Sequence, residues 1–254
     1  MTRTVLITGS GSGIGAATKA RLERQGDRVI GVDLRNADIE TDLGTDSGRR
    51  AMIDEARRLS PDGLDGVLAG AGISDPERAA QTIAINYFGA VATLEGLRPL
   101  LVRSARPRAV AMCSTAALLP TKNVVVEACL AGDEAVAQAS IAATPHLSYM
   151  TSKRALSLWL RRASVSPQWG GSGVLLNGVA PGVVETAMTA PLFQDPEMIK
   201  LIAQSNPMAA AGFATADEIA ELSAYLLSFE GHYLLGQVIF IDGGTDAIMR
   251  PTAF

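Results

Sequence analysis

Glycine occupies every second position from Gly9 to Gly15, directly after a short apolar strand and directly before a helix. The strand segment is Thr4–Thr8, the run reads Thr8-Gly9-Ser10-Gly11-Ser12-Gly13-Ile14-Gly15, and the helical stretch covers Ile14–Arg24. Glycine has no Cβ, so such a run lets the chain turn sharply, lets backbone approach a pyrophosphate, and lets a helix pack tightly on a strand. The helix start supplies free amide donors and a positive dipole end for phosphate groups. Taken alone, the run also reads as a tight strand-to-helix turn. It does not continue as Gly-Lys-Ser/Thr, so it is no nucleotide-triphosphate loop.

The rest of the chain repeats the same alternation. Apolar strand segments at Arg28–Asp33, Gly66–Ala69, Ala109–Cys113, Val174–Val179 and Gln237–Ile241 alternate with helical stretches such as Gly48–Arg58, Ile83–Leu101 and Tyr149–Ala163. Continuous apolar strands separated by helices predict a parallel sheet covered on both faces. With right-handed crossovers, this becomes a doubly wound α/β sheet of the Rossmann type. Neither a flexible linker nor an internal repeat divides the 254 residues, so one domain over 1–254 is expected. Two stretches exceed what a crossover needs. One spans about 116–147, with a helical centre over Val124–Ala143, and lies before the Tyr149 helix. The other spans about 186–214 and carries Met188, Leu192, Phe193, Met198, Ile199, Leu201, Ile202 and Met208. Excursions at the carboxyl ends of strands are where such sheets place substrate sites, although an apolar stripe of this kind also serves as plain core.

Several polar residues stand where chemistry can use them. Asp33 ends the second strand about 20 residues after the glycines, where a carboxylate accepts hydrogen bonds from adenosine ribose hydroxyls. It would repel a 2′-phosphate, an effect that Arg35 partly offsets, so NADH is expected in preference to NADPH. Asp33 also reads as a strand-end cap. Tyr149 and Lys153 are four apart on one helix and so share a face. A phenol is a weak base at neutral pH, and a nearby cation favours its ionised form. The same pair also reads as a core tyrosine and a solvated lysine. Likewise, Ser114 reads as a strand-end turn residue, Asn86 as a cap or internal backbone partner, and Thr186 as a helix N-cap.

Taken together, these motifs resemble the short-chain dehydrogenase/reductase family. The resemblance rests on Thr-Gly-x-x-x-Gly-Ile-Gly, Asp33, Asn86-Tyr87-Phe88-Gly89, Ser114, Tyr149-x-x-x-Lys153, Asn177-x-x-Ala180-Pro181-Gly182 and Asp242-Gly243-Gly244, in family order over nearly the whole chain. It implies an alcohol–ketone oxidoreductase that uses NAD. Tyr149 would be the general acid/base, with Lys153 holding the nicotinamide ribose and lowering the tyrosine pKa. Ser114 would bond the substrate oxygen, and Asn86 would support a water relay from a bent helix. The cofactor would meet Gly9, Ser12, Gly13, Ile14 and Gly15, then Asp33 and Leu34, with Asp42 and Leu43 at the adenine. Gly70, Ala71 and Gly72 would add backbone contacts, since the family's usual asparagines are absent there. Pro181, Gly182, Val184 and Thr186 would orient the carboxamide. The long Ser114–Tyr149 interval also departs from the family, and an insertion there would block or replace its usual helix-pairing surface. That interval with Lys122-Asn123, Asn86-Tyr-Phe-Gly-Ala90 and the C-terminal Asp242-Gly-Gly-x-Asp246-Ala-x-Met249-Arg250-Pro251-Thr252-x-Phe254 resemble bacterial 3α-hydroxysteroid dehydrogenases/carbonyl reductases as a group. A bulky apolar cyclic alcohol or ketone is the substrate class this implies; a small ketone or aldehyde, or a non-catalytic NAD-binding regulator, are the alternatives.

Composition excludes other classes. The formal net charge of −4 gives no general attraction for nucleic acid or anionic membranes. Two cysteines, Cys113 and Cys129, and two histidines, His146 and His232, form no metal-ligand spacing, so no metal is expected. The start of the chain carries no leader pattern, and no apolar run of membrane-spanning length follows, so a cytoplasmic protein is expected. The helical stretches Ile83–Leu101 and Tyr149–Ala163 are apolar on more than one side, which predicts a homodimer or homotetramer.

Overall fold

The computed structural model describes residues 2–253. Strand β1 (Thr4–Thr8) feeds helix α1 (Gly13–Arg24), then β2 (Arg28–Asp33), a short β3 (Ile39–Glu40), α2 (Asp46–Leu59) and β4 (Gly66–Ala69). The long helical stretch that follows is not one helix. It is α3 (Ala79–Ile83), a π-helical turn over Ala84–Gly89, and α4 (Ala90–Leu101). After β5 (Arg108–Met112) come α5 (Asn123–Ala131) and α6 (Glu134–Ile141), then α7 (Ser148–Ser164) and β6 (Leu175–Pro181). The chain closes with β7 (Val184–Glu185), α8 (Pro196–Ser205), β8 (Ala214–Thr215), α9 (Ala216–Ser228), β9 (Val238–Ile241) and α10 (Thr245–Met249).

Seven strands form one parallel sheet in the order β3-β2-β1-β4-β5-β6-β9. The order reverses between β1 and β4, so a crevice opens there at the carboxyl ends of the strands. Side-chain alternation along each strand divides the core into two layers. Leu6, Val67, Ala109 and Leu176 face the layer built from α2, α4 and α7. Val5, Ile7, Leu68, Val110 and Val179 face the opposite layer, where Leu22 of α1 and Leu227 of α9 pack. Both faces are covered, and for that reason the strands read as unbroken apolar runs.

The 116–147 excursion is a helical hairpin rather than one helix. Gly132 at φ +78 ends α5, where its amide bonds the Cys129 carbonyl at 2.9 Å. Asp133 then restarts the chain by capping α6, its side chain accepting from the Val136 amide at 3.0 Å. The hairpin packs α5 on α7 and α6 on α3. This corrects one reading of the sequence. The extra apolar side of the helices around Asn86 and Tyr149 is covered by Val125, Cys129, Ala137 and Ile141 of the same chain, so it is not in itself an argument for a partner subunit. In the second excursion, a ring contact between Phe193 and Phe213, centroids 4.9 Å apart, ties its two ends together; the side chain of Leu192 lies outside the described residues. Among the described residues no helix is long and apolar enough to cross a membrane.

Candidate active site

The glycine run lies at the crevice, and its members do different work. Gly9 adopts φ +73, and a Cβ there would stand 2.9 Å from the Ala71 backbone, so the loop after β1 nests on the loop after β4. A Cβ on Gly15 would lie 2.0 Å from the Gly9 carbonyl oxygen, so α1 can approach its own loop only without a side chain there. Gly13, at φ +51, faces the Thr186 methyl across the crevice. Ser12 precedes the helix in extended conformation and its side chain makes no cap bond, so it does not satisfy the first-turn amides, which include those of Ile14 and Gly15. The Thr8 hydroxyl accepts from the Gly70 and Ala71 amides at 3.1 and 3.2 Å. Backbone thus replaces the missing asparagine amides in tying β1 to β4.

Asp33 closes this end of the crevice. Its Oδ2 accepts from the Gly11 amide at 2.9 Å and its Oδ1 from the Leu34 amide at 2.7 Å, which holds the carboxylate above the glycine loop. Leu34 is exposed beside it. Asp42 accepts from the Gly44 amide at 2.8 Å within its own turn, while the Leu43 side chain is buried in the core. Of these two, therefore, the Asp42 carboxylate and the Leu43 backbone, not the leucyl side chain, are placed to meet a ligand. A free helix start, a close-packed glycine loop and a fixed acid at the neighbouring strand end fit a dinucleotide.

At the other end, Lys153 is buried, and its Nζ donates to the Met112 carbonyl at 2.7 Å at the carboxyl end of β5. The same ammonium stands 5.7 Å from the Tyr149 ring centroid, so the pair shares a face as the spacing predicts. Asn86 sits on the π turn. Its Oδ1 accepts from the Ile73 amide and its Nδ2 donates to the Ile73 carbonyl, both at 2.9 Å. A Cβ on Gly72 would be 3.1 Å from Asn86 Oδ1 and 3.6 Å from Lys153 Nζ, so these three residues converge. Ser114 is buried at the end of β5, and its Oγ accepts from the Ala116 amide at 3.1 Å, which leaves its own proton to donate. Next to it, burial pushes the Cys113 thiol up, against the Ser157 hydrogen bond and the Lys153 charge, so it remains a neutral neighbour.

Two contributors escaped the sequence reading. Ser152 donates to the Tyr149 carbonyl at 2.6 Å and accepts from Asn86 Nδ2 at 3.2 Å, linking the π turn to the tyrosine helix. Its only signal was its position beside Lys153. Thr189 accepts from the Thr186 amide at 3.0 Å and donates to the Val184 carbonyl at 2.5 Å. It fixes the corner after Pro181-Gly182, and Thr186 itself caps no helix. Gly182 packs against Asp242, where a Cβ would approach within 2.9 Å, and the Val184 side chain is buried. Among the described residues no cluster of three metal-ligating side chains occurs.

Family models match almost the whole chain: short chain dehydrogenase over residues 3–128, and a model described as enoyl-(acyl carrier protein) reductase over residues 134–246. The chain belongs to the short-chain dehydrogenase/reductase family, and it is a nicotinamide-dependent oxidoreductase. It is 36% identical to the 3-alpha-hydroxysteroid dehydrogenase/carbonyl reductase of Comamonas testosteroni, over 98% of this chain and 99% of that protein. It is 26% identical to the cis-4-hydroxycyclohexanecarboxylate dehydrogenase of Sinomonas cyclohexanicum, over 97% of each. Among solved structures, the 3-alpha-hydroxysteroid dehydrogenase of Pseudomonas sp. B-0831 complexed with NADH superposes with a TM-score of 0.91 at 39% identity, over 99% of this chain and 100% of that one.

Proposed function

We propose that this protein interconverts a bulky apolar cyclic secondary alcohol, such as a hydroxysteroid or an alicyclic or aromatic carbinol, with its ketone, using NAD(H) in preference to NADP(H). The observation that carries the reading is the buried Lys153 beside the Tyr149 ring, next to Gly72 and Asn86. The relatives named for a hydroxysteroid and a hydroxycyclohexanecarboxylate support the cyclic class, and the apolar residues of the stretch after Thr186 support an apolar substrate.

The nicotinamide, when bound, supplies or accepts the hydride; the protein supplies position and proton transfer. Tyr149 passes a proton to the substrate oxygen in reduction and removes it in oxidation. Lys153 brings its positive charge to within 5.7 Å of the Tyr149 ring centroid and has further donor protons for the ribose hydroxyls. Ser114 donates its free proton to the substrate oxygen. Asn86 holds the backbone at Ile73, so that a water chain to Lys153 has fixed walls. Gly9, Ser12, Gly13, Ile14 and Gly15 seat the phosphates, and Asp33 with Leu34 seats the adenosine ribose. Asp42 and Leu43 meet the adenine, Gly70 and Ala71 line the crevice, and Pro181, Gly182, Val184 and Thr186 orient the carboxamide.

We also propose a cytoplasmic homo-oligomer. Strand β9 is an edge of the sheet, and Tyr225 and the 92%-exposed Tyr233 leave apolar rings in water. Sedimentation at a mass above 26.5 kDa is expected, and a monomer would overturn this point.

The functional test is NADH and NADPH turnover on steroid, cyclic and short-chain ketones by wild type and Tyr149→Phe. The mutant is expected to lose a factor of about 10²–10⁴ in kcat while still binding NADH. NADH should be favoured over NADPH by about tenfold or more, the equivalent of ~1.4 kcal/mol at Asp33. Cyclic ketones without turnover, by a wild type that binds NADH, would overturn the proposal.

A further inference from the structure

Among the described residues three cationic side chains are buried: Arg49, Arg108 and Lys153. A buried charge is costly unless it is fully partnered. Lys153 belongs to the site described above. Arg108 donates to the Phe229, Gly231 and Pro107 carbonyls and so closes the end of α9. Arg49, only 7% exposed, is different, because its guanidinium joins three separate parts of the molecule.

Its Nε donates to the Leu43 carbonyl at 2.8 Å, and its Nη2 reaches the Gly44 carbonyl at 3.5 Å. These belong to the turn proposed to meet the adenine. Nη2 also donates at 3.1 Å to the carbonyl of Ala84, the first residue of the π turn that carries Asn86. Nη1 and Nη2 then form a two-pronged pair with Glu134 at 2.6 and 2.7 Å. Glu134 opens α6 of the hairpin and is itself held by Gln138 at 3.1 Å. The two bound backbones also touch directly: a Cβ on Gly89 would lie 3.0 Å from the Leu43 carbonyl oxygen. The planar fork of an arginine fixes direction as well as charge, so the orientation of Arg49 is set by the carboxylate that grips it.

We infer that Glu134 is a positioning residue for cofactor binding: by orienting Arg49 it holds the Asp42–Gly44 turn in the shape that receives the adenosine end of the dinucleotide. The helical hairpin thereby acts on the cofactor site through Arg49. The inference rests on the proposed adenine contact of Asp42 and Leu43.

The experiment is NADH titration by fluorescence, with steady-state kinetics, on wild type, Glu134→Gln and Asp133→Ala. Glu134→Gln keeps the size of the side chain and one acceptor but loses the charged fork. It is expected to raise the Kd and KM for NADH about tenfold, with kcat and the ketone KM within about twofold of wild type. Asp133→Ala removes the cap of α6 without touching Arg49, so it should lower the Tm and leave NADH affinity unchanged. An NADH Kd for folded Glu134→Gln within twofold of wild type would overturn the inference. So would an equal rise in both variants, or a joint loss of kcat, ketone KM and NADH affinity, since each marks general loosening. If wild type itself bound no NADH, the cofactor reading would fail instead, and this inference with it.

Discussion

At the scale of single residues, the site depends on atoms that are absent. Gly15 needs no unusual φ; it is glycine because the carbonyl oxygen of Gly9 occupies the place of a Cβ. Gly26, by contrast, adopts φ +90 with nothing within 4 Å of a Cβ, so its requirement is conformational alone. The two are therefore separable. Gly15→Ala is expected to cost about 1–3 kcal/mol by forced displacement of the helix start, and to weaken NADH binding as well. Gly26→Ala is expected to cost about 1 kcal/mol in backbone strain and to leave NADH binding unchanged. Urea unfolding and NADH titration of both variants check this; equal effects on NADH would refute the packing role of Gly15. Both glycines are visible in the sequence, but nothing there separates one held by a neighbour from one held by its own φ.

At the scale of elements, the informative feature is the break in the helix before β5. A helix interior normally consumes its own amides, and a π turn marks a place where register is given up for another purpose. Here the turn presents Asn86, whose amide clamps both backbone groups of Ile73 and reaches Ser152 on α7. Asn86→Ala would leave the Ile73 amide and carbonyl without these partners, at a cost of about 1–3 kcal/mol. It would also remove the bond from the π turn to Ser152 on the tyrosine helix. We expect kcat to fall by up to about 100-fold, as small misplacements of reacting groups do, with a smaller change in NADH affinity. A variant with kcat near wild type would show that the clamp is structural only. The sequence predicted a bent helix at Asn86 only through family resemblance, because apolar periodicity alone runs on from Ile83 to Leu101 without a break. The two-residue strands β3, β7 and β8 were missed for a related reason: they are too short to carry a period.

At the scale of the whole molecule, burial among the described residues favours the protonated form of two thiols and one phenol. Burial pushes the Cys129 thiol up to about 12, and pushes the Cys113 thiol and the Tyr87 phenol up as well. Each folded pKa lies above its unfolded value, so the native state binds more protons in alkali than the unfolded chain does. Their contribution to stability is complete below the unfolded thiol pKa of about 8.5 and is lost as pH rises toward the folded values. The urea midpoint is therefore expected to decline steadily from about pH 8.5 upward, and Cys129→Ala to show a shallower decline despite lower stability at neutral pH. A midpoint independent of pH up to 11 would contradict this.

The sheet, its two covered faces and the order of the motifs were all readable along the chain, because apolar strand runs, glycine spacing and a four-residue helical step are local and periodic. The sequence also placed Tyr149 and Lys153 on one helix face and Asp33 at a strand end, while the roles expected of them came from the family resemblance. That the apolar flank of the tyrosine helix is covered from within the chain became visible only once the hairpin was folded onto it. The tertiary structure likewise revealed the roles of Ser152 and Thr189, and the grip of Glu134 on Arg49 across 85 positions. Such contacts join parts that are far apart along the chain, and their strength depends on desolvation and direction, neither of which a residue carries until its neighbours are in place.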